Sequence, residues 1–163
     1  MKRIILICFC LLLFFSCKKV ERKLQINVNV NKPLNGYDIG SKYFQVDIDL
    51  NNNTDTIIKL VMMTCQWEKS WIPNNAEICL LPESECSHNI ADFITIKPQE
   101  KKIYKGTISV SSSLKNLNAK NFKLGLVLIS IKEVPTTKDF DNILAKKINA
   151  KKDIVWSDPI KFD

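Results

Sequence analysis

Residues 43–50 read YFQVDIDL, and this stretch decides the fold. Phe44, Val46, Ile48 and Leu50 alternate with Gln45, Asp47 and Asp49. Successive side chains of an extended chain point to opposite faces, so the pattern predicts a strand with one buried and one wet face. Working outward, Leu24–Val30 repeats the rule, with Leu24, Ile26, Val28 and Val30 set against Gln25, Asn27 and Asn29. Between the two strands, Pro33, Asn35-Gly36 and Gly40 are turn residues. On the other side, Asn51–Asp55 reads NNNTD, a second turn, because Asn and Asp tolerate left-handed geometry and bond their own backbone.

Thr56–Cys65, TIIKLVMMTC, is apolar almost throughout and rich in β-branched residues, which predicts a central strand covered on both faces. The segment from Gln66 to Asn75 reads as an excursion carrying Trp67 and Trp71. Ala76–Leu81 is a short strand, followed by a loop over Pro82–Asn89. Ile90–Ile96 and Lys102–Val110 read as a hairpin around KPQEK, and Phe122–Ile131 as another central strand. Near the end the period changes: Phe140, Ile143, Leu144 and Ile148 recur at helical spacing. Asp153–Phe162 then closes the chain as a strand edged by Pro159. Seven to eight short strands and one late helix predict a mainly β fold over residues 24–163, a single immunoglobulin-like antiparallel β-sandwich.

The first sixteen residues have a different character. Lys2 and Arg3 precede an apolar run of 12 residues, Ile4–Phe15, and the small Ser16. That is the layout of a secretory signal peptide, and the run is too short to span a bilayer, which takes about 20 residues. The ending Phe14-Phe15-Ser16-Cys17 resembles the lipobox of bacterial lipoproteins. The resemblance implies cleavage after residue 16 and lipidation of Cys17, with residues 17–23 forming the lipidated cysteine and its charged tether.

Cleavage at that point leaves 147 residues, with 22 basic against 17 acidic side chains, enough for one domain with a substantial core. The lysines are dispersed and no arginine-rich stripe interleaved with aromatics occurs, so nucleic acid is not an expected partner.

Cys8 and Cys10 leave with the leader, and lipidation occupies Cys17, so Cys65, Cys79 and Cys86 remain. In an oxidising compartment they make one disulfide and one thiol. Three pairings are open. A bond involving Cys86 is preferred, either across the Pro82 turn to Cys79 or across the longer loop to Cys65, which stabilises more in the chain-entropy view.

These cysteines and His88, the sole histidine, lack the paired spacing of a zinc site. Asp47, Asp49, Asn51, Asn53 and Asp55 recur at every second position, but Asn52 stands where a calcium loop needs Gly and Ile58 where it needs Glu. No metal or other cofactor is expected. No nucleophile elbow or phosphate-cradling glycine loop is present, since glycine occurs only at 36, 40, 106 and 125. No catalytic residue is assigned and no enzymatic activity is expected.

Trp67 and Trp71 have two readings, as core or as an exposed aromatic contact surface for a partner or glycan, with the Pro82–Asn89 loop extending that surface. Asp55-Thr56-Ile57 resembles the O-glycosylation motif of Bacteroidota, which makes Thr56 a candidate acceptor. The segments NNTDTIIKLVMMTCQW, PQEKKIYKGTISV, FKLGLVLI and IVWSDPIKF together resemble small uncharacterised lipoproteins of Bacteroidota-type bacteria with an immunoglobulin-like domain. That resemblance implies a fold and a cell-envelope address, and no reaction. Lys18-Lys19 differ from the acidic pattern that resembles a surface-export signal in such bacteria, which favours an outer-membrane position facing the periplasm. The expected role is a non-enzymatic binding or scaffolding module, held to the membrane by its lipid and acting on another envelope protein or a glycan. The alternative is a periplasmic inhibitor or immunity-type lipoprotein that blocks a toxin or protease.

Overall fold

The computed structural model describes residues 23–34, 40–82, 90–134 and 139–162. Nine strands form two facing layers. The first layer holds β1 (Leu24–Leu34), β2 (Ser41–Asn52), β7 (Lys101–Ser111) and β5 (Ile78–Leu81), all antiparallel and in the order β1-β2-β7-β5. The second holds β4 (Trp71–Pro73), β8 (Leu124–Val127) and β9 (Ile154–Trp156) in the order β4-β8-β9, and the pair β3 (Ile58–Met63) with β6 (Ala91–Ile96). Val61 N–H donates to Ile129 O at 2.9 Å, joining β3 to the chain just after β8. The orders β1-β2-β7-β5 and β4-β8-β9 correspond to A-B-E-D and C-F-G of a constant-type immunoglobulin sandwich. Here β3 and β4 share the place of strand C, and β6 is an addition.

The alternation in 43–50 does what its period requires. Phe44, Val46, Ile48 and Leu50 are buried between the layers, as are Leu24 and Ile26 of β1. Facing them are Leu60 and Met62 of β3 and Leu124 and Leu126 of β8. The continuous apolar runs are covered twice. The other sides of the same strands, Val61, Met63 and Val127, with Ile129 beyond, form a second cluster beneath α1 (Asp139–Ala150), which buries Phe140 and Leu144. Burial of two such side chains stabilises by roughly 1.5–3 kcal/mol each, which is what holds a 12-residue helix too short to persist alone.

Lys147 of α1 fixes the helix to the sheet. Its ammonium lies 2.8 Å from Glu133 Oε1, 2.8 Å from Asp153 Oδ2 and 2.8 Å from Leu128 O. Glu133 also accepts from Ser130 N–H in a capping box. Its carboxyl is held down at about 2, first by the Lys147 hydrogen bond and then by the Ser130 backbone. Burial pulls Lys147 down, but its two acidic partners outweigh that and leave it raised.

Two expectations need correction. Residues 90–96 and 102–110 are not a hairpin: β6 pairs with β3 in one layer, whereas β7 pairs with β2 and β5 in the other. The turn between them is captured by Asn52, which is 1% exposed. Asn52 Nδ2 donates to Thr56 O, Ile96 O and Lys97 O at 2.8, 3.0 and 3.0 Å, and its Oδ1 accepts from Thr54 N and Oγ1. Gln99, with φ 58°, then turns the chain across to the other sheet. Second, the segment after Cys65 is not a free excursion. It makes one 3-10 turn, Trp67–Ser70, and rejoins the sheet as β4, which is why the described strands number nine rather than seven or eight.

Candidate binding groove

Trp67 and Trp71 are 6% and 5% exposed and belong to the core. Their rings meet edge to face at 6.5 Å, and Trp67 packs on Tyr104 at 5.0 Å. Gly106 makes room for this: a Cβ there would lie 3.3 Å from both Trp67 Cη2 and Leu80 Cδ1. Burial pushes the Tyr104 hydroxyl up to about 12. The proposed aromatic contact surface at Trp67 and Trp71 is therefore wrong. A 3-10 turn directs these side chains inward, and burial of two indoles outweighs any surface role.

The remaining sites fall in different places. Cys79 is an exposed free thiol on β5, which rules out both pairings through it. Cys65 is disulfide-bonded. Cys17, Cys86, His88 and most of the Pro82–Asn89 loop also lie outside them. Asp49, read as the wet face of β2, is 8% exposed and pairs with Lys101 Nζ and Asn29 Nδ2, each at 3.2 Å. Among the described residues no group of three or more His, Cys, Asp or Glu is placed to hold a metal ion, and no helix is long and apolar enough to cross a membrane.

Thr56 is exposed on the loop that Asn52 braces, with its hydroxyl 3.2 Å from that of Thr54. Both threonines lie on the rim of a groove of about 730 Å³. The groove opens at the lateral seam of the sandwich, where the start of β1 faces β9, the edge strands of the two layers. Its floor is apolar: Leu24, Ile58, Leu128, Ile154, Val155 and Trp156. Its rim carries Lys23, Lys123, Thr54 and Thr56, the buried Ser157 lies below them, and among the described residues no carboxylate lines it.

Local sequence explains the floor. Gly125 pairs with Trp156 across β8 and β9, and the missing Cβ lets the indole lie against the strand. Beside it Ser157, 1% exposed, ties β9 to β8: its hydroxyl accepts from Leu124 N–H at 3.1 Å and donates to Asp158 O at 2.7 Å. At the other end, Asp153, with φ 55°, turns the chain from the helix into β9, and its carbonyl accepts from Leu128 N–H at 2.7 Å. Hydrogen bonds thus hold β9 at both ends of the groove, which is apolar and cationic in character. Lys23, Lys123 and Trp156 were not singled out from sequence. Each is ordinary in its own segment, and only the packing of the two layers, which sets the start of β1 beside β8 and β9, brings them together.

Comparison of the chain with protein-family models, with curated proteins and with solved structures gives no match. The class that fold and groove define is a mainly β sandwich with a lateral apolar groove.

Proposed function

We propose that the chain is a lipid-anchored cell-envelope protein, a non-enzymatic binding or scaffolding module whose binding surface is the seam groove. The basic tip, the short apolar run and the FFSC ending support export and lipidation at Cys17. The observation that carries the choice of surface is the place of Lys23. This last residue of the tether and first described residue lines the groove, so residues 17–23 keep its mouth within about 20 Å of the lipid, at roughly 3.3–3.6 Å per residue. In this reading the domain faces the periplasm from the outer membrane and meets its partner close to the bilayer. With Cys79 free, Cys17 acylated and the leader removed, this reading pairs Cys65 with Cys86. The anchor is tested by fractionating cells that express wild type or Cys17→Ala. Wild type is expected in the membrane and the variant in the soluble periplasmic fraction; equal membrane retention overturns the anchor.

A further inference from the structure

The groove has a selective chemistry. An occupant needs an apolar body to cover Leu128, Val155 and Trp156, and a negative head to meet Lys23 and Lys123, because these two cations, with no carboxylate beside them among the described lining residues, repel a positive group. The chain's own tether does not fit. Residues 18–22 read KKVER, with one apolar side chain among three cations and one acid. A volume of about 730 Å³ lies within the roughly 300–1,000 Å³ of small-molecule sites, and its openness at a seam between two edge strands suits a long, slender ligand entering end-on. The bilayer is also within reach of the mouth.

We propose that the groove binds a single-chain anionic lipid from that bilayer. The acyl chain lies along β9 over Trp156, and the acidic head is held by the ammonium groups of Lys23 and Lys123, with the hydroxyls of Thr54 and Thr56 beside it. The source of the lipid rests on the anchored reading above, whereas the chemistry rests on the groove alone.

The test uses the full-length chain in isolated membranes depleted of ATP, so that added fatty acid is not esterified, with palmitate bearing a diazirine near its methyl end as probe. Photolabelling is expected to concentrate in peptides containing 123–128 and 154–157. Excess palmitate and lysophosphatidylglycerol should both suppress it, and palmityl alcohol and lysophosphatidylcholine should not. Lys23→Gln with Lys123→Gln should lower labelling by about tenfold, the scale of losing charge-assisted contacts to the head; the competition series on wild type stands should that double variant not fold. Labelling spread evenly along the chain, or equal competition by palmityl alcohol, overturns the proposal. Competition by only one of the two anionic lipids supports it and assigns the head as carboxylate or phosphate. The Cys17→Ala chain, given the probe in solution, separates the two ideas: retained labelling at 154–157 supports the groove whether or not the anchor survives its own test, and loss of that labelling in a folded chain overturns the groove.

Discussion

Trp156 lies against Gly125 so closely that a Cβ on the glycine would come within 2.8 Å of Trp156 Cε3 and 2.7 Å of Ile154 Cγ2. Neither atom is the loose end of a flexible chain, and both belong to the edge strand that floors the groove. Gly125→Ala should therefore push β9 outward and destabilise by about 1–3 kcal/mol, as overpacking does. Thermal unfolding followed by circular dichroism measures the loss, and a midpoint equal to wild type would show that β9 gives way freely.

The buried Asn52 side chain serves the 53–57 loop and the 96–100 turn together. Asn52→Ala leaves three carbonyls and the Thr54 donors to find other partners, and a cost of about 2–4 kcal/mol is expected from unmet buried polar groups. Asn52→Asp should cost at least as much, since a carboxylate turned toward Ile96 O and Lys97 O has no proton to give. Urea unfolding of the three proteins checks the order.

Trp67→Ala should lower stability by about 3–5 kcal/mol, the range for a buried aromatic, and any loss of partner binding should follow the loss of fold. Trp67→Phe keeps most of the contact with Gly106 and Tyr104 and should cost much less. A Trp67→Phe protein that unfolds as readily as Trp67→Ala would refute this packing account.

Glu133 titrates at about 2 in the folded protein against an ordinary 4.5. A depressed acid stabilises the fold above its unfolded value, and that contribution is lost as pH falls from about 4.5 toward 2. Lys147 is raised, so its contribution is complete below its ordinary value and fades as pH climbs through the folded one. Glu133 is 40% exposed, and salt should weaken the effect. Unfolding midpoints between pH 5 and 2.5 in low salt should fall more steeply for wild type than for Lys147→Met, and parallel curves would remove the pair from the acid response.

Cys79 should react with maleimide in the native protein, whereas Cys65 should react only after reduction. Intact mass before and after reductant counts the sulfurs involved. Cys79→Ser should leave the unfolding midpoint within about 0.5 kcal/mol of wild type, as for a surface change.

Period-two stretches were the legible part of this fold. Residues 24–30 and 43–50 declared both their state and their buried face, and the burial of Leu60–Met63 followed from four apolar side chains in succession, whereas Thr56, Ile57, Lys59 and Thr64 of the same run are exposed. The helix was readable for the same reason, at a different period. What escaped was long-range pairing. Periodicity says that 90–96 and 102–110 are strands, but not that Asn52, some forty-five residues earlier in the chain, holds the turn between them. The tryptophans kept two readings, core and contact surface, because the 3-10 turn that carries Trp67 into the core and on to Trp71 of β4 has no strong local signature. The groove escaped because its apolar floor reads as ordinary strand interior until Gly125 and Trp156 are known to face one another.

Phe162 is 8% exposed, stacks edge-on against Phe44 at 4.9 Å and Phe122 at 6.0 Å, and is clamped by Asn118, whose side chain bonds both its N–H and its carbonyl. Phe44 belongs to the second strand and Phe162 to the last described segment, so the core is sealed by partners from opposite ends of the chain. Such a topology folds late and slowly, because distant contacts must close before they reward the loop entropy. An emerging chain therefore keeps this part of its core open until Phe162 has been added.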